Sequence, residues 1–140
     1  MRVYFDASLI ASLFIEDDLT ERAEAYLRAE SPTVCVSDFT AAEFSSALNR
    51  RTRMGLLSAA EARAALSEFD IWRERGALAI RTTAADVAAA DVYLRRLDLP
   101  LRTPDALNIA LADRAGAPLA TFDEKMARCA RALGVALVEA

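Results

Sequence analysis

Arg2-Val3-Tyr4-Phe5-Asp6-Ala7-Ser8 is the stretch whose reading decides the fold. Val3, Tyr4 and Phe5 run without polar alternation, the pattern of a strand covered on both faces of a parallel sheet. Asp6 ends the run. Leu9, Ile10, Leu13 and Phe14 then recur at helical spacing, so the strand passes directly into a helix with Asp6 and Ser8 at the junction. In open parallel α/β sheets, ligands bind beyond the carboxyl ends of the strands, where Asp6 stands. Asp and Ser at such a place also accept bonds from the free N–H groups of a helix start, so position alone leaves capping and ligand binding both open.

The same design recurs along the chain. Asp18 and Glu21 resemble an N-terminal cap for a helix ending near Arg28, and Val34-Cys35-Val36 predicts a second strand closed by Ser37-Asp38. Helical spacing from about Phe39 to Arg53 surrounds Glu43 with apolar residues, although Thr40-Ala41-Ala42-Glu43 also fits a capping box. Arg50, Arg51 and Arg53 at its end suit either phosphate contacts or a solvated face that complements the helix dipole. Ser58-Ala59-Ala60-Glu61 opens a helix bearing Ala62, Ala65, Leu66, Phe69 and Trp72 on one side, a core face or, through the two large aromatics, a dimer contact.

Leu78-Ala79-Ile80 predicts a third strand, and Thr83 opens a helix with Val87, Ala90, Leu94 and Leu97 on its inner side. Thr103-Pro104-Asp105 carries strong helix-start signals, a capping Thr followed by proline, and puts Asp105 where the dipole favours negative charge. Leu119-Ala120-Thr121 predicts a fourth strand meeting Phe122-Asp123, and Val135 to Val138 a fifth. Strands of four or five residues alternating with helices predict an α/β sandwich, made parallel by right-handed crossovers, in a single domain over 1–140.

Composition narrows the chemistry. The 140 residues include no histidine, so Ser-His and Cys-His pairs and the usual neutral-pH proton shuttle are absent. Hydrolysis would need carboxylates, the single lysine Lys125, or a metal-activated water. A net charge of −4 argues against broad nonspecific nucleic-acid binding, but not against a local basic groove, because sixteen of the seventeen cations are arginines. No apolar run is long enough to span a bilayer and the N-terminus lacks signal-peptide features, so the expectation is a cytoplasmic protein without a membrane partner. Cys35 and Cys129 sit in apolar patterns and read as reduced core residues.

Asp6 and Asp123 follow strands, while Glu43 and Asp105 lie in the first turns of helices leaving the same side of the sheet. A doubly wound sheet with strands one and four adjacent would bring all four carboxylates to its carboxyl edge. Such a cluster repels itself unless protonated or bound to cations, and hard oxygen ligands select Mg²⁺ or Mn²⁺. One or two such ions would neutralise the cluster, orient a phosphodiester and activate water.

The ordered motifs Val-Tyr-Phe-Asp6-Ala-Ser8, Ala-Ala-Glu43-Phe, Thr103-Pro-Asp105-Ala-Leu and Ala-Thr121-Phe-Asp123 resemble the PIN domain, specifically VapC-type toxin ribonucleases of bacterial toxin–antitoxin pairs. The resemblance spans essentially the whole chain. It implies a five-stranded parallel sheet of order 3-2-1-4-5, with Asp6, Glu43, Asp105 and Asp123 as the metal-site and catalytic acids and Ser8 and Thr121 as supporting polar residues. It further implies a Mg²⁺- or Mn²⁺-dependent cleavage of selected RNA, a homodimer and inhibition by a cognate antitoxin. Arg50 and Arg53 are the candidate RNA contacts, since their helix begins beside Glu43. Two other classes compete: a noncatalytic interaction module of the same fold, and a magnesium-dependent phosphatase-like or receiver-like domain. The latter fits less well, because Asp6-Ala7-Ser8 lacks a second acid directly after the first strand.

Overall fold

A computed structural model describes residues 1–140. The first strand, β1 (Arg2–Phe5), passes straight into helix α1 (Ala7–Phe14), with Asp6 as the residue between them. Helix α2 (Thr20–Glu30) leads to strand β2 (Thr33–Ser37), which runs into helix α3 (Asp38–Arg53). Helix α4 (Ala59–Gly76), strand β3 (Leu78–Ile80) and helix α5 (Ala84–Leu94) follow, then helix α6 (Thr103–Arg114), strand β4 (Leu119–Ala120) and helix α7 (Glu124–Ala132).

All strand pairs are parallel, and the sheet order is β3-β2-β1-β4. β1 and β4 are therefore neighbours at the point where the order reverses, as the doubly wound reading requires. The predicted fifth strand is not formed, and the sheet has four strands instead of five. Val135 to Val138 does lie alongside β4, but only as one parallel bridge, Leu119 to Leu137. The cause is the shortness of β4. Its outer edge offers only the Leu119 N–H, which donates to the Ala136 carbonyl, and the Leu119 carbonyl, which accepts from Val138. The Ala117 N–H is already committed to the carbonyl of Ala112 at the end of α6, and the carbonyls of Pro118 and Ala120 face β1.

The unalternating apolar run of β1 is explained by burial on both sides. Val3 and Phe5 enter a core with α1, α3 and α4, whereas Tyr4 enters a second core with α6 and α7. Phe69 lies inside the first core, 2% exposed, with its ring 4.9 Å from Phe44 and 5.6 Å from Phe14, while half-buried Trp72 packs on Phe14 at 5.5 Å. Phe69 is therefore part of the core within one chain, and half-buried Trp72 packs at the edge of the same cluster.

Other local expectations shift for physical reasons. Asp17, not Asp18, orders the start of α2, its Oδ1 accepting the Leu19 N–H at 2.8 Å. Of the four expected inner residues only Ala90 is fully buried: α5 packs mainly on α6 and leaves Val87 53% exposed, and the helix ends at Leu94, so Leu97 lies beyond it at 90% exposure. No helix is long and apolar enough to cross a membrane.

Candidate active site

The site grows from the carboxyl ends of β1 and β4. Asp6 is 2% exposed, and its Oδ1 accepts the Leu9 N–H at 3.1 Å and the Ser8 hydroxyl at 2.7 Å. Its Oδ2 accepts the Thr121 hydroxyl at 2.6 Å. Asp6 is thus at once the N-cap of α1 and a buried carboxylate with both oxygens hydrogen-bonded, Oδ2 by a single donor. Ser8 and Thr121 also brace the loop after β4: the Phe122 N–H donates to Ser8 Oγ at 3.0 Å, and the Asp123 N–H donates to Thr121 Oγ1 at 2.9 Å. Asp123 in turn caps α7, its Oδ1 accepting the Met126 N–H at 3.1 Å.

Glu43 approaches from α3. The cap of that helix is Ser37, whose Oγ accepts the Thr40 N–H at 2.9 Å, so the Thr40 capping box does not exist and Glu43 sits in the second turn instead of the first. Freed from capping, Glu43 Oε1 accepts the Asn108 amide at 2.6 Å. Asp105 sits at the start of α6, where its Oδ2 accepts the Arg102 N–H at 3.0 Å. Arg102, not Thr103, is the N-cap residue, and Thr103 opens the helix ahead of Pro104. Lys125 Nζ lies 3.9 Å from Asp105 Oδ2, which aims the only lysine at the acidic edge.

Electrostatics shows which acids face one another. Burial pushes the Asp6 carboxyl up to about 6 against the hydrogen bonds from Thr121, Ser8 and Leu9, and the charge of Asp123 pushes it further. Burial likewise raises Glu43 against the Asn108 bond, and the charges of Asp6 and Asp105 add to the rise. Asp6, Glu43, Asp105 and Asp123 are therefore linked through space at one sheet edge. As the side chains stand, no three acids converge on a common coordination point.

The chemistry of the donor set fits a hard divalent cation. Each of Glu43, Asp105 and Asp123 spends one oxygen on a protein donor and leaves the other, Oε2, Oδ1 and Oδ2 respectively, without a protein partner. No imidazole is available, and both thiols are buried elsewhere in the core.

Arg50 and Arg53 are exposed at the far end of α3, roughly 10 Å or more along the helix from Glu43 at 1.5 Å per residue. Arg53 is partly occupied, its Nε donating to Asn49 Oδ1 at 2.8 Å.

Asn108 is a site neighbour to which the sequence reading assigned no role, and Lys125, singled out there only as the one lysine, lies beside Asp105. A signal for Asn108 exists: it is the lone amide in the apolar run Ala106 to Ala112 of α6, and it is 1% exposed.

Over residues 3–132 the sequence matches the PIN domain family. The chain belongs to that family. Two relatives of this PIN domain are ribonucleases. VapC3 of Pyrobaculum aerophilum is 30% identical over 127 residues, covering 91% of this chain and 93% of the relative. VapC46 of Mycobacterium tuberculosis is 31% identical over 145 residues, covering 97% and 95%. Among solved structures, M. tuberculosis VapC20, described as a sarcin-ricin loop cleaving toxin, superposes with a TM-score of 0.75 at 24% identity, covering 97% of this chain and 98% of that one. VapBC2 from Rickettsia felis, bound to a DNA fragment from its promoter, gives 0.72 at 16% identity, covering 99% and 98%. The fold of this PIN domain is that of the VapC toxins.

Proposed function

We propose that this PIN domain is the toxin of a type II toxin–antitoxin pair, an endoribonuclease that cleaves RNA phosphodiesters with a divalent cation, Mg²⁺ or Mn²⁺, held by Asp6, Glu43, Asp105 and Asp123. The observation that carries this reading is the placement of Asp6 and Asp123 beyond the carboxyl ends of the neighbouring strands β1 and β4, with Glu43 and Asp105 on the helices beside them, in a chain 30–31% identical to VapC ribonucleases. When bound, the cation supplies positive charge that offsets the acids, orients the phosphate and lowers the pKa of water.

The residues of the chain divide the remaining work. Ser8 and Thr121 hold Asp6 in one rotamer and tie the β4 loop to it, which fixes the separation of Asp6 and Asp123. Asp105 offers its free oxygen from the positive end of α6, and Lys125 tempers the local negative charge before RNA arrives. Arg50 and Arg53 take RNA phosphates beyond the reacting bond, where guanidinium geometry suits them. A cognate antitoxin completes the assembly, in keeping with the VapBC2 structure among the structural relatives, and a homodimer of this chain belongs to the same proposal.

Asp105→Asn tests the assignment. The variant should retain the fold, lose at most about 1 kcal/mol of cap and dipole stabilisation, and lose Mn²⁺-dependent RNA cleavage entirely. Asp113→Asn on the exposed side of the same helix is the control and should cleave at the wild-type rate. Wild-type cleavage by both Asp6→Asn and Asp105→Asn would overturn the assigned site.

A further inference from the structure

Behind Glu43 lies a buried chain of hydroxyls that no metal ligand requires by itself. The Thr40 N–H donates to Ser37 Oγ at 2.9 Å, and Ser37 Oγ is 2.7 Å from the Tyr4 hydroxyl. The Tyr4 hydroxyl donates to Asn108 Oδ1 at 2.8 Å, and the Thr40 hydroxyl donates to the same oxygen at 3.0 Å. With Tyr4 and Thr40 both donating to Asn108, the Ser37 hydroxyl is left to donate to Tyr4, and the 3.0 Å contact between the Tyr4 and Thr40 hydroxyl oxygens carries no proton of its own. At its end the Asn108 amide donates both hydrogens, one to Glu43 Oε1 at 2.6 Å and one to the Pro104 carbonyl at 3.0 Å. Tyr4, Ser37 and Thr40 are fully buried, and Asn108 is 1% exposed.

This arrangement removes the usual ambiguity of an amide side chain. A flipped Asn108 would set its oxygen against the Glu43 carboxylate and the Pro104 carbonyl and would leave two buried hydroxyl donors facing an NH₂ group. Each of those mismatches costs a buried, unsatisfied polar contact. The amide therefore has one stable orientation, and that orientation pins one oxygen of Glu43 while leaving Oε2 turned away from the pin. β1, β2, α3 and α6 all contribute to the chain, so the rotamer of Glu43 is set by the packing of four elements.

We infer that Asn108, oriented by Tyr4 and Thr40, is a positioning residue for Glu43, holding its free oxygen ready for the divalent cation. The inference rests on the proposed metal-dependent site. Partners that orient a metal ligand contribute strongly to affinity, with losses of about 10–100-fold when they are removed. Asn108→Leu keeps the approximate shape of the side chain and removes both donors. It should weaken Mn²⁺ binding, measured by titration calorimetry on the folded protein, by about 10-fold or more. Tyr4→Phe deletes only the hydroxyl that orients the amide and should weaken Mn²⁺ binding several-fold.

Leu111→Ala, a fully buried core truncation on the same helix, supplies the comparison for lost stability. It should melt at a lower temperature and bind Mn²⁺ as the wild type does. In a Glu43→Gln background, Asn108→Leu should change Mn²⁺ affinity no further, because the residue it positions no longer carries the charge. Asn108→Leu and Tyr4→Phe binding Mn²⁺ like the wild type would overturn the inference while leaving the metal site standing. Wild-type protein that binds no Mn²⁺ would overturn both. Equal losses in Leu111→Ala and Asn108→Leu would assign the chain of hydroxyls to fold stability instead of to Glu43.

Discussion

Asp6 shows how one side chain can serve two purposes that pull against each other. As an N-cap it stabilises α1, yet its burial beside other acids makes the charged form costly, and its carboxyl is pushed from 3.8 up to about 6. A carboxyl raised in the folded state binds protons more tightly there than in the unfolded chain. Its stabilisation is thus fully present below about pH 4 and is lost as pH rises through about 6. Glu43 is displaced in the same direction, whereas Asp38 and Asp86 are held below the ordinary carboxylate range and contribute the opposite slope. The Asp6 contribution is isolated by difference. In metal-free buffer, wild type should lose stability relative to Asp6→Asn by on the order of 2–3 kcal/mol between pH 4 and pH 7. Urea titrations across that range check it, and parallel curves for the two proteins would show that ionised Asp6 costs nothing in the fold. The expense recorded in the metal-free protein is what a bound cation would relieve.

At the level of elements, two contacts explain why helices sit where they do. Phe69 and Trp72 on α4 form an aromatic cluster with Phe14 of α1 and Phe44 of α3. Phe69→Ala should cost about 3–5 kcal/mol in chemical denaturation, the range for an aromatic removed from a core. The sedimentation of the folded variant should match that of wild type; dissociation without destabilisation would return this face to an interface role. On the other side of the sheet, α5 is fastened to α6 through Arg114. Its Nε and Nη2 reach both oxygens of Asp86 at 2.6 and 3.0 Å, and Nη2 also donates to the Arg81 carbonyl at 2.6 Å. Asp86 is 1% exposed while the Arg114 side chain is 43% exposed, so solvent screens the pair from one side only. Arg114→Met should lower stability, by less than breaking a fully buried pair would, and leave the Mn²⁺ affinity of the folded protein unchanged. Loss of metal affinity in that variant would mean that the α5 clamp reaches the acidic edge.

For the molecule as a whole, burial of Asp6 and Glu43 makes the metal-free protein less stable at neutral pH than its packing alone would. Anything that binds only the native state adds RT ln(1 + [L]/Kd), about 2.7 kcal/mol at a hundredfold excess over Kd. Mn²⁺ at that excess should therefore raise the melting temperature by on the order of 5–10 °C for a chain of this size. EDTA should reverse the shift. In Asp105→Asn the shift should be much reduced, which separates specific binding at the acidic edge from general ionic effects. An identical rise in Asp105→Asn would place the stabilising cation somewhere else on the surface.

The amino-acid sequence by itself determined the alternation of strands and helices, the all-apolar β1, and the acids that end β1 and β4. These features are written in short-range patterns: periodicity, caps and turn residues act over a few neighbouring positions. The absence of histidine and the four acids at element junctions likewise narrowed the chemistry before any contact was known, leaving a nuclease, a noncatalytic module and a phosphatase-like enzyme in competition. Tertiary structure alone decided which polar groups meet. Thr121 reaches Asp6 across 115 positions and Asn108 reaches Glu43 across 65, and no local pattern encodes such pairs. It also decided that Phe69 is core and that Glu43 does not cap α3. The last segment becomes a single bridge for the same kind of reason: a strand needs a partner of sufficient length, and β4 offers it only the backbone of Leu119.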